Sequence, residues 1–187
     1  MKNLRALLED TQVTPELDAA VESETRGALA LLDTAALYAT FSPGQAPSWV
    51  ETLLLPLAEN SEAEGRERPP IGVTVFVSTI GVALEEELAR ALAQGEGLRS
   101  RILTAVGEEL AEQSGHFVAR LLAEEAKNEA CELSDRRPLT TPDQQQSLLE
   151  TLDAARIPLS FDAGGHLSPR FSRLGYVLWW PPAKKRK

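Results

Sequence analysis

The chain has 187 residues, 43% of them hydrophobic and 25% charged, which is enough to bury a sizeable core and too apolar for disorder over most of its length. Its formal charge of −9 includes the cationic run Lys184, Lys185, Arg186 and Lys187, so the remaining body carries about −13, a charge that repels phosphate backbones and anionic lipid and argues against nucleic-acid or membrane binding. No stretch reaches the roughly 18–20 apolar residues of a membrane helix, the start Met1-Lys2-Asn3-Leu4-Arg5 lacks the apolar run of a secretory signal, and the single Cys131 permits no intramolecular disulfide, so a cytoplasmic location is expected.

In chain order, Thr14 before Pro15, with Glu16 and Asp18 in the first turn, starts a helix whose apolar residues Leu17, Val21, Ala28, Leu31, Leu32 and Ala35 carry it over 15–35. Leu37, Ala39 and Phe41 alternate as a short strand that Ser42-Pro43-Gly44 ends. Residues 49–58 fit strand or helix, with Pro56 limiting either, and 59–70 read as an exposed loop. From 71 to 78, Ile71, Val73, Val75 and Val77 share one face while Phe76 makes the other only partly polar, which predicts an interior strand covered on both sides.

Thr79-Ile80-Gly81 then turns into a helix with Leu84, Leu88, Ala91 and Leu92 inward, ending near Gly95. A long helix is expected over 98–130, its stripe formed by Leu98, Ile102, Val106, Leu110, Phe117, Leu121 and Leu122, with Gly107 and Gly115 allowing close packing or a bend. Thr141-Pro142 with Gln144 forms a capping box before a helix over 141–155. Ile157, Leu159 and Phe161 alternate as a strand, Asp162-Ala163-Gly164-Gly165 is a turn, and a second strand returns over 172–180. Helices and strands are interspersed without βαβ repetition, which predicts an α+β fold with a bent antiparallel or mixed sheet flanked by helices. The expected organisation is a single domain over 1–180, with 1–60 as its N-terminal part, and a disordered basic tail over 181–187.

Chemistry is sparse. The two histidines, His116 and His166, lie far apart in sequence and no cysteine pair accompanies them, so no metal site is expected. No phosphate-binding glycine loop or nucleophile elbow occurs. Glu108, Glu109 and Glu112 form an acidic helical cluster in which Glu112, two residues after Leu110, sits toward the rim of a cleft. Arg136 and Arg137 form the compact cationic loop of the body and have the donor geometry to fork onto a carboxylate or phosphate.

Several of these pieces, in this order, resemble the activation domain of cobalamin-dependent methionine synthase and stand-alone proteins similar to it. Val77-Ser78-Thr79-Ile80-Gly81 resembles the family's strand ending in a Thr-Leu-Gly turn, Leu110-Ala111-Glu112 its long-helix element, residues 148–161 its helix-then-strand passage, and Pro169-x-x-Ser172-x-x-Gly175-Tyr176 its last strand. The resemblance implies an α+β domain that binds S-adenosylmethionine and presents its methyl group to a cobalamin held by another domain, with reduced flavodoxin or a related donor supplying the electron. It places Glu112 and Tyr176 at the ligand cleft. Where the family carries Arg-x-x-x-Gly-Tyr, with its arginine gripping the ligand carboxylate, this chain departs with Leu133, Arg137 and Pro138, and the substitute it offers is Arg136 or Arg137 from a shifted backbone. The implied ligand-binding residues are therefore Glu112, Arg136, Arg137 and Tyr176, with S-adenosylmethionine held weakly and cobalamin met only through a corrinoid-binding partner or methyltransferase. The alternative is a diverged, non-catalytic interaction module that keeps the fold and binds neither.

Overall fold

The structure, a computed structural model, describes residues 15–59 and 68–182. Thr14, expected to start the first helix, most of the 59–70 loop and the basic run 183–187 lie outside the described residues. The elements in order are α1 (Pro15–Leu29), β1 (Ala35–Phe41), α2 (Ser48–Glu59), β2 (Gly72–Thr79), α3 (Ala83–Ala93), α4 (Gly97–Asn128), β3 (Glu132–Leu133), β4 (Arg137–Pro138), α5 (Pro142–Thr151), β5 (Ser160–Phe161), β6 (Leu167–Ser168) and β7 (Ser172–Trp180). A five-stranded sheet runs in the order β1-β2-β7-β3, with β4 also pairing β7. Ile71 N–H donates to the Trp179 carbonyl and Ile80 N–H to that of Phe171, so β2 and β7 run antiparallel. The pairings of β3 and β4 with β7 are antiparallel too, and β5–β6 is a separate antiparallel hairpin. The α+β expectation holds.

Two compact units emerge from the internal contacts. Of the described residues, one takes those up to Ala35 with Ser78–Ser114 and Ile157–Arg173; the other takes those within Ala36–Val77, Gly115–Arg156 and the described residues from Leu174. The first has its own core, in which Leu17, Ile80, Leu84, Leu88, Ile102, Val106 and Phe171 are buried together. Its surface is laced by Arg99, which donates to Glu24 at 3.0 Å and Glu96 at 2.9 Å, linking α1 to the start of α4. In the second unit Phe76, Val118, Leu122, Val177 and Trp179 form a cluster on which Cys131 and Leu133 pack. Here Trp179 Nε1 donates to Thr74 Oγ1 at 2.7 Å and Thr74 shares a 2.7 Å hydrogen bond with Thr40, a polar chain across three strands.

Every residue of β2 is buried, as its two apolar faces require. Ile71, expected to share the inner face, lies one residue before the strand and is 46% exposed. The first helix stops at Leu29 rather than reaching 35: Ala30 and Leu31 close turns onto Gly27 and Ala28, and Asp33 N–H donates to the Ile80 carbonyl. Leu31 and Leu32 are apolar because this turn packs on the core, not because the helix continues. Residues 49–58 resolve as helix, with Pro56 inside its span.

Along α4 the predicted stripe is partly wrong. Leu98, Phe117 and Leu121 are exposed, and the buried line runs through Ile102, Leu103, Val106, Ala111, Val118, Leu122 and Ala126. Ala111, Val118, Leu122 and Ala126 keep the seven- and four-residue spacings of one helix face, and the exposed Phe117 and Leu121 each precede that face by one residue, a rotation of about 100°. Leu92, expected inward on α3, is likewise exposed. The helix over 141–155 is shorter than expected, ending at Thr151 before a 3-10 turn at Ala154–Arg156. Its Thr141 cap accepts from Gln144 N–H at 3.4 Å, the first of the two bonds of a capping box; the return bond from Thr141 N–H to the Gln144 side chain is not formed.

Candidate functional site

In the second unit, Arg137 and Tyr176 are direct register partners across β4 and β7, followed by Pro138 opposite Gly175. Leu139 N–H donates to the Leu174 carbonyl at 3.1 Å, and Gln145 Nε2 caps the Leu139 carbonyl at 2.8 Å. The pairing depends on Gly175: a Cβ there would meet the Arg137 carbonyl at 2.6 Å and the Phe76 ring at 3.0 Å. A glycine is thus the residue that lets the Arg137 strand close on β7. Opposed residues on antiparallel strands project side by side, so a guanidinium-bearing chain and a phenol leave the same face, both half-buried. Arg136 precedes this pair and is half-buried too. Leu133 is half-buried and packs on the Phe76–Trp179 cluster.

Glu112 belongs to the first unit, and its carboxylate is engaged. Arg173 Nε donates to Glu112 Oε2 at 3.2 Å, while Nη2 donates to Glu108 Oε2 at 2.7 Å and to the Glu108 carbonyl at 3.2 Å. Nη1 reaches the Ser172 carbonyl at 3.0 Å. Arg170 lies beside this group, 3.6 Å from Glu108 Oε1 and with its guanidinium 5.1 Å from the centre of the Phe171 ring. Its backbone N–H donates to Glu85 at 3.0 Å. The structure therefore brings Arg137 and Tyr176 together and gives Glu112 to Arg173. Sequence reading missed Arg173. The available signal was Glu108 and Glu112, four apart on one helix face, a like-charge pair that needs a cation.

Two clefts of about 400 Å³ each lie elsewhere. One is lined by Ala119, Ala126, Cys131, Leu133 and Val177 in the second unit, the other by Ala20, Leu98, Arg99 and Ile102 in the first. None of Glu112, Arg136, Arg137 and Tyr176 lines either cleft. Among the described residues no group of three or more His, Cys, Asp or Glu side chains is placed to hold a metal ion. No helix among them is long and apolar enough to cross a membrane. The Gly164-Gly165 turn closes the β5–β6 hairpin: Asp162 Oδ1 accepts from Gly164 N–H at 2.8 Å and His166 N–H at 2.9 Å. The His166 and Gly164 amides hold the Asp162 carboxyl below the usual carboxylate range.

Compared by sequence, the chain matches no protein-family description and no curated protein. Compared by structure, it matches the crystal structure of the MetH reactivation domain bound to AdoHcy, with a TM-score of 0.59 over 97% of this chain and 70% of that one. This chain has the fold of the MetH reactivation domain. At 13% identity the likeness is one of fold, and it agrees with the resemblance carried by the motifs at 77–81, 110–112 and 169–176.

Proposed function

We propose that the chain is a methionine synthase activation-domain-like protein that docks onto a corrinoid-bearing partner and assists reactivation of its cobalamin or methyl transfer to it. The observation that supports this reading most is the fold it shares, over 97% of its length, with a reactivation domain bound to AdoHcy. Cofactor chemistry would reside in the partner's corrinoid, and this chain would contribute contact surface and electrostatics. Arg136, Arg137 and Tyr176 are proposed as recognition residues of the second unit, and Glu112 separately as one of the first.

The residues fit S-adenosylmethionine incompletely. The resemblance puts Leu133 where the family carries an arginine, and the Glu112 carboxylate already accepts from Arg173. Loss of a charge-assisted contact typically weakens binding ten- to a hundred-fold, so the free ligand should bind weakly. The occupied Glu112 also favours the second reading, an interaction module that keeps the fold without the ligand. Calorimetry with S-adenosylmethionine and, separately, with a purified cobalamin-loaded corrinoid protein tests both readings. Binding of the corrinoid protein with little heat from the free ligand is expected. Heat from neither supports the second reading.

A further inference from the structure

Arg173 holds the position that a cationic ligand of Glu112 would need, and we infer that it determines specificity: it is a built-in cation that closes the Glu108–Glu112 pair to ligands bearing an ammonium or sulfonium group. The inference rests on the reading above, in which Glu112 meets an adenosyl ligand. All three guanidinium nitrogens are used, on Glu108, Glu112 and the Ser172 carbonyl, at 2.7–3.2 Å. The side chain is only 24% exposed, so its release would leave a partly buried charge without partners.

Its base is fixed as well. Arg173 is the second residue of β7, and the preceding Ser172 hydroxyl donates to the Pro169 carbonyl at 2.7 Å. Phe171, one residue further back, is fully buried against Gly107. Arg170 adds a second guanidinium beside Glu108, so two cations balance the two carboxylates of this helix face. An incoming cation must displace Arg173, whose Nε donates to Glu112 while its Nη2 holds Glu108, to reach the Glu112 carboxylate. A neutral ligand does not face that competition.

S-adenosylmethionine and S-adenosylhomocysteine differ by one methyl group and one positive charge on sulfur, so their affinity ratio reads this effect. Both are titrated calorimetrically into the full chain and into R173M, R173Q and R173K, with thermal unfolding used to select the folded variants. R173M or R173Q should gain about tenfold or more for S-adenosylmethionine relative to S-adenosylhomocysteine. R173K, which keeps the charge, should gain nothing, and adding E112Q to R173M should cancel the gain. An unchanged ratio with S-adenosylhomocysteine still bound overturns the role of Arg173 and leaves the ligand reading standing. Binding of neither nucleoside by any variant overturns the ligand reading and the inference together.

Discussion

The Phe171 ring lies against Gly107 so closely that a Cβ on Gly107 would fall 2.4 Å from the ring Cζ. The glycine is a packing requirement of the first unit's core and not a break, since α4 runs unbroken from Gly97 to Asn128. Gly107→Ala is therefore expected to destabilise by about 1–3 kcal/mol through overpacking, although alanine is the better helix former by about 1 kcal/mol. Denaturant unfolding measures this, and an alanine variant as stable as the parent would contradict the packing argument.

Thr74 is fully buried and accepts the indole N–H of Trp179 at 2.7 Å. Thr74→Val keeps the shape but removes the acceptor, leaving a buried donor without its partner. The expected loss is about 1–3 kcal/mol, read from urea unfolding. Thr40→Val, at the more exposed end of the same chain, should cost less.

Tyr38 donates to Glu125 at 3.1 Å, and that hydrogen bond, reinforced by the carboxylate's charge, raises the phenol pKa above its usual value near 10. A raised folded-state pKa gives stability that is complete below the unfolded value and disappears as pH rises through the folded one. Ultraviolet titration of the phenolate in a Tyr176→Phe background should show late ionisation, moved earlier by Glu125→Gln. Coincident titrations with and without Glu125 would remove the interaction. Asp162 carries the opposite sign. Its lowered pKa stabilises the β5–β6 hairpin above the unfolded value, and that contribution is lost as pH falls through the folded one.

The acidic body should not bind nucleic acid. With the four cations of 184–187 set aside the charge is about −13, and polyanion affinity follows the number of phosphates neutralised. A chain ending at Pro182, titrated against duplex DNA at physiological salt, should show no association. Micromolar binding by that form would contradict the charge argument.

What could be read from sequence followed from local periodicity and local chemistry. β2 was legible because both its faces are apolar, and the Thr141 cap and Gly165 turn because short side-chain rules fix them. The spacing Pro169-x-x-Ser172-x-x-Gly175 was legible as a motif, but its reasons are tertiary: Ser172 ties back to Pro169 and Gly175 clears the Arg137 carbonyl. The partner of Glu112 was not legible, because Arg173 is 61 residues away and no periodicity links a helix carboxylate to a strand guanidinium. The Arg137–Tyr176 register was hidden for the same reason, since a two-residue strand carries no alternation to read.

On the function proposed above, the partner is a corrinoid-bearing protein. Sedimentation velocity of the full chain mixed with a purified cobalamin-loaded corrinoid protein tests it most directly. A complex with a Kd in the micromolar range is expected, as for a small transient interface, and it should weaken when Arg137 or Tyr176 is replaced by alanine. Independent sedimentation of the two proteins at about 0.1 mM, well above that range, would contradict it.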